Sequence, residues 1–323
     1  MQINNDTVIF EWRGSPVPLL IGDFNNWNVK QAIRLRRAAK NFWTHTLTLP
    51  RDAYLQYAFH DPVTHKNFLD PLNQKSVNNG VGGRNNFFYM HETMPSPFAM
   101  RRADISGGVL TSHSVETKWL RDDYDREIYL YRPPVKESVP LLAVFDGTDY
   151  LRRGKLTVIV DNLIAEHRIQ PIAMAFLPSA SRWRNLEYAC SDDTLLWLDQ
   201  IILPLANEKL NLLDIKKHPG TYGVLGASLG GTMSFYTGLR MPDVFGHVLS
   251  QSGAFMIESR DFAVVDLVKH QHACDINIWM DVGQLDVLLE DNQNMHALLR
   301  EKKYNVTYRE FSGGHNYTAW RDD

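Results

Sequence analysis

The chain has 323 residues, 44% of them hydrophobic and 22% charged, with a formal net charge of -3. That length calls for two domains of unequal size, and the near-neutral balance gives no electrostatic reason to expect nucleic acid or an anionic membrane as partner. Only two cysteines occur, Cys190 and Cys274; they form no CxxC pair, so neither a disulfide framework nor a zinc knuckle is expected.

The opening MQINNDTVIFEW lacks a basic start ahead of an apolar stretch. A cytoplasmic location is therefore expected, although a chain stripped of a secretion signal would begin the same way. No apolar run approaches the roughly 18 residues of a transmembrane helix. Residues 1–94 read as all-β. VIFEWRG, PLLIGDF, WTHTLTL, LQYAFHD and FFYM are short aliphatic and aromatic runs separated by turn residues, the pattern of a small β-sandwich. Residues 95–108, with two prolines and two glycines, read as a linker.

Residues 109–323 read differently. GGVLTSHSVET and REIYLYRPP look like an antiparallel pair, and PLLAVFDG and PIAMAFLP are near-continuous apolar runs. Such runs suit strands covered on both faces. TYGVLGAS, FGHVLSQSG and INIWMDVG continue the series. LTVIVDNLIAEH, TLLWLDQIILPLANEK, GGTMSFYTGLRMP and EDNQNMHALLREKKY supply helices. The alternation predicts an α/β domain with a mostly parallel sheet.

The sharpest local signal is Gly226-Ala227-Ser228-Leu229-Gly230-Gly231, between an apolar strand and an apolar helix. A G-x-S-x-G turn in that setting presents a serine hydroxyl above the sheet. The glycines remove side chains that would clash at the bend. A hydroxyl needs a base, and the base a partner that fixes its tautomer. In this fold the order along the chain is serine, acid, histidine. His315, in Phe311-Ser312-Gly313-Gly314-His315-Asn316, is the expected base, ahead of His247, His270, His272 and His296. Asp286 follows the INIWMDV strand and a glycine turn, and is preferred over Asp281, Glu290 and Asp291 as the acid. The oxyanion donors are expected to be the amides of Leu229 and of Thr148, the latter in the loop after PLLAVF. The 12 histidines show no H-E-x-x-H or similar spacing, so no metal and no cofactor is expected.

Together these motifs resemble the enterochelin (ferric siderophore) esterase family, part of a wider esterase group with feruloyl and acetylxylan esterases, esterase D and the mycolyltransferases. LLAVFDGTDY resembles the family's strand and Asp-Gly loop, and SRWRNLEY its Arg-x-x-Glu element. GASLGGTMSFYTGLRMPDVFGHVLSQSGAF resembles its elbow, helix and next strand, and SGGHNYTAWR its Gly-Gly-His-x-x-x-x-Trp ending. Ser228, Asp286 and His315 match the family's triad positions. VIFEWRG and WTHTLTLP resemble the family's immunoglobulin-like N-terminal domain, while GDFNNW also resembles glycogen-binding-like modules. Three departures stand out: Ile201-Ile202 ahead of Leu203-Pro204, Ser191-Asp192 after the Arg-x-x-Glu-Tyr element, and an end at Asp323.

The resemblance implies an α/β-hydrolase preceded by a smaller immunoglobulin-like sandwich. It implies a serine carboxylic ester hydrolase acting on a small-molecule ester, a siderophore trilactone leading. Two alternatives stay open: a feruloyl or acetyl sugar esterase, and an inactive carbohydrate-binding protein using Trp27 and Trp43. Arg182, Trp183, Arg184 and Glu187 are the expected substrate contacts, cations for anionic oxygens and an indole for a ring. Arg184 and Glu187, three apart, can equally pair on a helix face. The resemblance also implies that the first domain lies near the mouth of the hydrolase site. Its loop from Asn78 to Asn86 then reads either as a lid or as a solvated hairpin loop.

Overall fold

The computed structural model describes residues 1–121, 124–180 and 182–323. The chain divides into two compact units. The first comprises residues 1–95 together with 283–289 and 310–323. The second comprises residues 96–282 and 290–309. The first thus joins the N-terminal stretch to two segments from the far end of the chain.

The first unit holds two antiparallel sheets. One orders β1 (Gln2–Asn4), β2 (Thr7–Arg13), β6 (Phe42–Thr48) and β5 (Arg36–Ala39) as β1-β2-β6-β5. The other orders β4 (Ile33–Arg34), β3 (Leu19–Gly22), β7 (Tyr54–His60), β10 (Arg84–Tyr89) and β9 (Ser76–Asn78) as β4-β3-β7-β10-β9, with β8 (Asn67–Phe68) on β7. Val8, Phe10, Leu20, Leu55, Tyr57, Phe59 and Phe88 fill the space between them. The ring of Phe10 meets Tyr57 edge-on at 4.9 Å, the geometry favoured by aromatic quadrupoles.

β7 is buried along its whole length, although its alternating sequence suits a strand with one wet face. The second face is covered by chain from the C-terminus. Tyr54 donates its N–H to Ser312 O at 3.3 Å, and Tyr89 Oη donates to Asp322 at 2.8 Å. Asn78 to Asn86 is a hairpin connection in which the side chain of Asn79 accepts from the amides of Val81 and Gly83, each at 3.0 Å.

The second unit is built on an eight-stranded sheet of order β11-β12-β14-β13-β15-β16-β19-β20. Its strands are β11 (Val109–Val115), β12 (Arg126–Arg132), β13 (Leu141–Phe145), β14 (Ala173–Leu177), β15 (Tyr222–Ala227), β16 (Phe245–Gln251), β19 (Asn277–Gly283) and β20 (Asn305–Phe311). The first three neighbours run antiparallel, and the pairs from β14 through β13, β15 and β16 to β19 run parallel. A short hairpin of β17 (Met256–Ile257) and β18 (Arg260–Asp261) follows β16. β13, β14 and β15 are buried throughout, as their unbroken apolar sequences require.

The helices are α1 (Gly147–Arg152), α2 (Leu156–Ala165), α3 (Arg184–Tyr188), α4 (Asp192–Trp197), α5 (Leu203–Lys209), α6 (Leu229–Arg240), α7 (Ala263–His270), α8 (Leu289–Glu301) and α9 (Tyr317–Asp322). The helix expected over TLLWLDQIILPLANEK runs without a break from α4 into α5, through a π-helical segment over Leu198–Ile202. Pro204 explains it: its ring crowds the carbonyl four residues back and it donates no N–H, so the ladder ahead of it widens to the Leu203 N–H to Leu198 O bond. Among the described residues, no helix is long and apolar enough to cross a membrane.

Candidate active site

Ser228 sits between β15 and α6 with φ 57° and ψ -125°, a region that non-glycine residues enter only under constraint. The constraint is local. Its N–H donates to Gln251 O at 2.9 Å and its carbonyl accepts the N–H of Ala254 at 3.1 Å. A Cβ on Gly226 would overlap the backbone of Gly230, so the bend closes only around a glycine. Beneath it Tyr150 Oη donates to Gln251 Oε1 at 2.9 Å, and Gln251 Nε2 donates to Asp281 at 3.1 Å. Burial, with the Asp281 and Asp146 carboxylates nearby, pushes the Tyr150 hydroxyl well above its ordinary value. It stays a neutral strut. Asp281, a rival for the triad acid, is thus engaged by Gln251.

Beside the elbow, Asp146 ends β13 in the left-handed region at φ 52°. Its buried carboxylate takes a two-point ion pair from Arg184, Nε to Oδ1 at 2.8 Å and Nη2 to Oδ2 at 2.5 Å. Arg184 also reaches Ala227 O at 3.5 Å, and Tyr188 Oη accepts the Asp146 N–H at 3.0 Å. This cluster fixes the loop that starts α1 next to the start of α6, where a Cβ on Gly230 would lie 3.2 Å from Asp146 Oδ2. Thr148 and Leu229 both lie in the first turns of these helices, where amides have no intrahelical acceptor.

The four expected substrate contacts separate. Arg182 is exposed, with its guanidinium 4.7 Å from the Trp183 ring centroid, and Arg121 lies 5.9 Å from the same ring. Among the described residues the buried Trp183 Nε1 has no hydrogen-bond partner. Arg184 is spent on Asp146. Glu187 is 4% exposed and accepts from Arg126 at 2.7 and 3.0 Å, so the structure takes its carboxylate out of the solvent-facing set. Arg184 and Glu187, three apart on one helix, each find a buried partner on another element, Asp146 and Arg126.

In the first unit, the loop after β19 and the loop after β20 are joined by backbone bonds: Gln284 N–H to Phe311 O at 2.8 Å and Leu285 N–H to Gly313 O at 2.9 Å. These bring Asp286 to His315. The His315 Nδ1 lies 2.9 and 3.0 Å from the two carboxylate oxygens. Asp286 Oδ1 also accepts the Leu288 N–H at 2.9 Å. An ionised carboxylate holds Nδ1 as the protonated nitrogen, which leaves Nε2 as acceptor. The Trp320 ring stands edge-on to the imidazole at 4.9 Å.

Asp23, which sequence reasoning passed over inside GDFNNW, belongs to the same cluster. It is 2% exposed. Its carboxylate accepts from Gln56 N–H at 2.7 Å, Trp27 Nε1 at 2.9 Å and Asn316 Nδ2 at 3.3 Å. Burial first, then the charge of Asp286, raises its carboxyl from 3.8 to about 7, against the opposing effect of His315 and its hydrogen bonds. Trp27 has its indole N–H committed there, and Trp43 packs against the sandwich core. The other late histidines lie elsewhere; His296, for example, stacks on Tyr308 at 4.3 Å. Among the described residues no group of His, Cys, Asp and Glu could hold a metal ion.

The family described as "Putative esterase" matches residues 120–323. The iron(III) enterobactin esterase of Dickeya dadantii strain 3937 is 28% identical over 221 residues, 62% of this chain and 50% of the relative. The chain thus spans about half the length of that relative. The enterobactin esterase of Shigella flexneri, solved in the presence of enterobactin, superposes with a TM-score of 0.80 at 19% identity, covering 100% of this chain and 92% of the other. A ferulic acid esterase from Anaeromyces mucronatus gives 0.58 at 16% identity, covering 71% of this chain and 94% of the other. These likenesses assign the eight-stranded unit to the α/β-hydrolase fold. With its family match across more than half the sequence, the chain belongs to the esterase family so described.

Proposed function

We propose that this protein is a serine carboxylic ester hydrolase that works through an acyl-enzyme, with Ser228 as nucleophile, His315 as general base and Asp286 as the acid that orients it. The observation that carries the reading is the strained backbone of Ser228 at a strand–helix turn. A fold stores such strain where a side chain has to be presented. The Asp286–His315 pair supports it by fixing the tautomer that accepts a proton at Nε2.

In the proposed reaction, Nε2 takes the Oγ proton as Oγ attacks the ester carbonyl. The amides of Leu229 and Thr148 receive the oxyanion. Collapse breaks the C–O bond, and the imidazolium returns its proton to the leaving alcohol. Water then repeats the sequence on the acyl-enzyme and frees the acid.

For substrate we propose a polar aromatic ester, a siderophore trilactone first, in a cytoplasmic setting. The support is the exposed Arg182 with Arg121 around Trp183, together with the enterobactin esterases among the relatives. The sugar-binding alternative loses support because Trp27 and Trp43 are turned to internal use. The test is a panel of a catechol trilactone, a feruloyl sugar ester, an acetylated sugar and nitrophenyl esters of rising chain length. Ser228-dependent turnover favouring the trilactone supports the reading. Preference for acyl chains beyond about ten carbons, unaffected by Arg182→Ala, contradicts it.

A further inference from the structure

We propose that Asp23, carried on the sandwich rather than on the hydrolase sheet, is a positioning residue for His315. The proposal rests on the esterase reading above. After β3, Asp23–Asn25 form a single 3-10 turn, closed by the Asn25 side chain on the Gly22 N–H at 2.9 Å. Asn26 and Trp27 follow in the left-handed region. That reversal folds the Trp27 indole back onto Asp23 Oδ1. It leaves Oδ2 aimed at the β7 amide of Gln56 and at Asn316.

The residues on either side of His315 both rest on this carboxyl. A Cβ on Gly314 would overlap the Asp23 carboxyl group, so only glycine lets the loop sit this low. Asn316 donates to Asp23 with one side-chain atom and, with the other, accepts the Ala319 N–H at 3.0 Å, capping α9. α9 in turn sets Trp320 against the imidazole. Moving Asp23 therefore moves the backbone before the histidine, the backbone after it and the ring beside it. A turn needed only to end β3 would have no reason to bury a carboxylate at that cost.

Charge adds to position. Asp286 and His315 are the ionisable groups that act on Asp23, and Tyr54, whose hydroxyl is pushed up to about 12, is neutral beside it. An ionised Asp23 favours the imidazolium that forms as Ser228 is deprotonated, and a protonated one does not. With its carboxyl raised to about 7, Asp23 changes charge near neutral pH.

The experiment is Asp23→Asn in the full chain, assayed on a nitrophenyl ester from pH 5.5 to 9 beside wild type, with melting temperatures. An asparagine oxygen in the Oδ2 place keeps the Gln56 and Asn316 bonds and gives up the one to Trp27. We expect kcat to fall on the order of 10–100-fold at pH 8, the scale of a misplaced catalytic group. KM should change by less than about twofold, since an orienting role is spent on the transition state. The deficit should shrink below pH 7. A deficit confined to KM, one independent of pH, or none would overturn the proposal. Gly314→Ala approaches the same contact from the loop side if Asp23→Asn does not fold. Asp23→Ala should restore part of the kcat that Gly314→Ala removes, and effects that simply multiply would count against the contact. Wild type that neither turns over esters nor reacts with a fluorophosphonate would defeat the esterase reading. Ser228-dependent turnover with an unaltered Asp23→Asn enzyme would defeat this proposal alone.

Discussion

The carboxylate of Asp286 meets Nδ1 of His315 through both oxygens, at 3.0 and 2.9 Å, with its side chain wholly buried and the imidazole 30% exposed. That pairing leaves the second ring nitrogen as the one available to a proton. Asp286→Asn keeps the shape but offers an N–H where Nδ1–H needs an acceptor, or flips the tautomer. Turnover is expected to drop by about 10⁴ with the fold intact, the scale seen when a triad acid loses its charge. Near-wild-type kcat in Asp286→Asn, with turnover abolished by Asp281→Asn, would move the role to Asp281.

The buried Arg126–Glu187 pair makes a stability prediction rather than a catalytic one. Its two side chains are 7% and 4% exposed. Glu187→Ala takes the carboxylate counter-charge from a buried guanidinium and is expected to cost about 3–5 kcal/mol in urea unfolding. The kcat of the folded fraction should change little. Loss of kcat without loss of stability would return Glu187 to the substrate contacts.

Arg182 and Arg184 should part ways in the same assay. Arg184 braces Asp146 and reaches Ala227 O, so Arg184→Ala is expected to lower kcat on acetyl and bulky esters alike. Removing a clamp near a nucleophile costs about 10²-fold. Arg182→Ala should instead raise KM for anionic aromatic esters, by about tenfold for one charge-assisted contact. Equal kinetic signatures would refute this division.

Stability should carry the mark of Asp23. Its folded carboxyl, raised by burial to about 7, binds a proton that the unfolded chain gives up near 3.8. The native state therefore holds more protons between those values, and stability falls as pH rises through the window. The shift corresponds to about 4 kcal/mol at most. Asp23→Asn removes the titration, so wild type should lose stability relative to it between pH 4 and 7. Parallel curves for the two proteins would contradict the buried, protonatable carboxyl.

The elbow was legible because its requirement is local: glycines two before and two after a serine, between apolar strand and helix, leave one way to fold. The meeting of His315 with Asp286 leaves a local trace as well, in the Gly-Gly approach to the histidine. Asp23 was not legible. Its partners Gln56 and Asn316 lie 33 and 293 positions away, and no local pattern records a contact of that span. The same distance hid the cover over β7, whose alternation suits a half-wet strand while residues 310–323 bury its second face. Arg184 and Glu187 misled at short range, since their helical spacing is compatible with a mutual pair and only the sheet supplies Asp146 and Arg126.

The most direct test of the account is intact-protein and peptide mass spectrometry after reaction with a fluorophosphonate. The account predicts one adduct per chain, on the peptide containing Ser228. It should be absent in Ser228→Ala, and slower by about 10³-fold or more in His315→Ala, as expected when a triad base is removed. An unlabelled wild type, or an adduct that persists in Ser228→Ala, would contradict it.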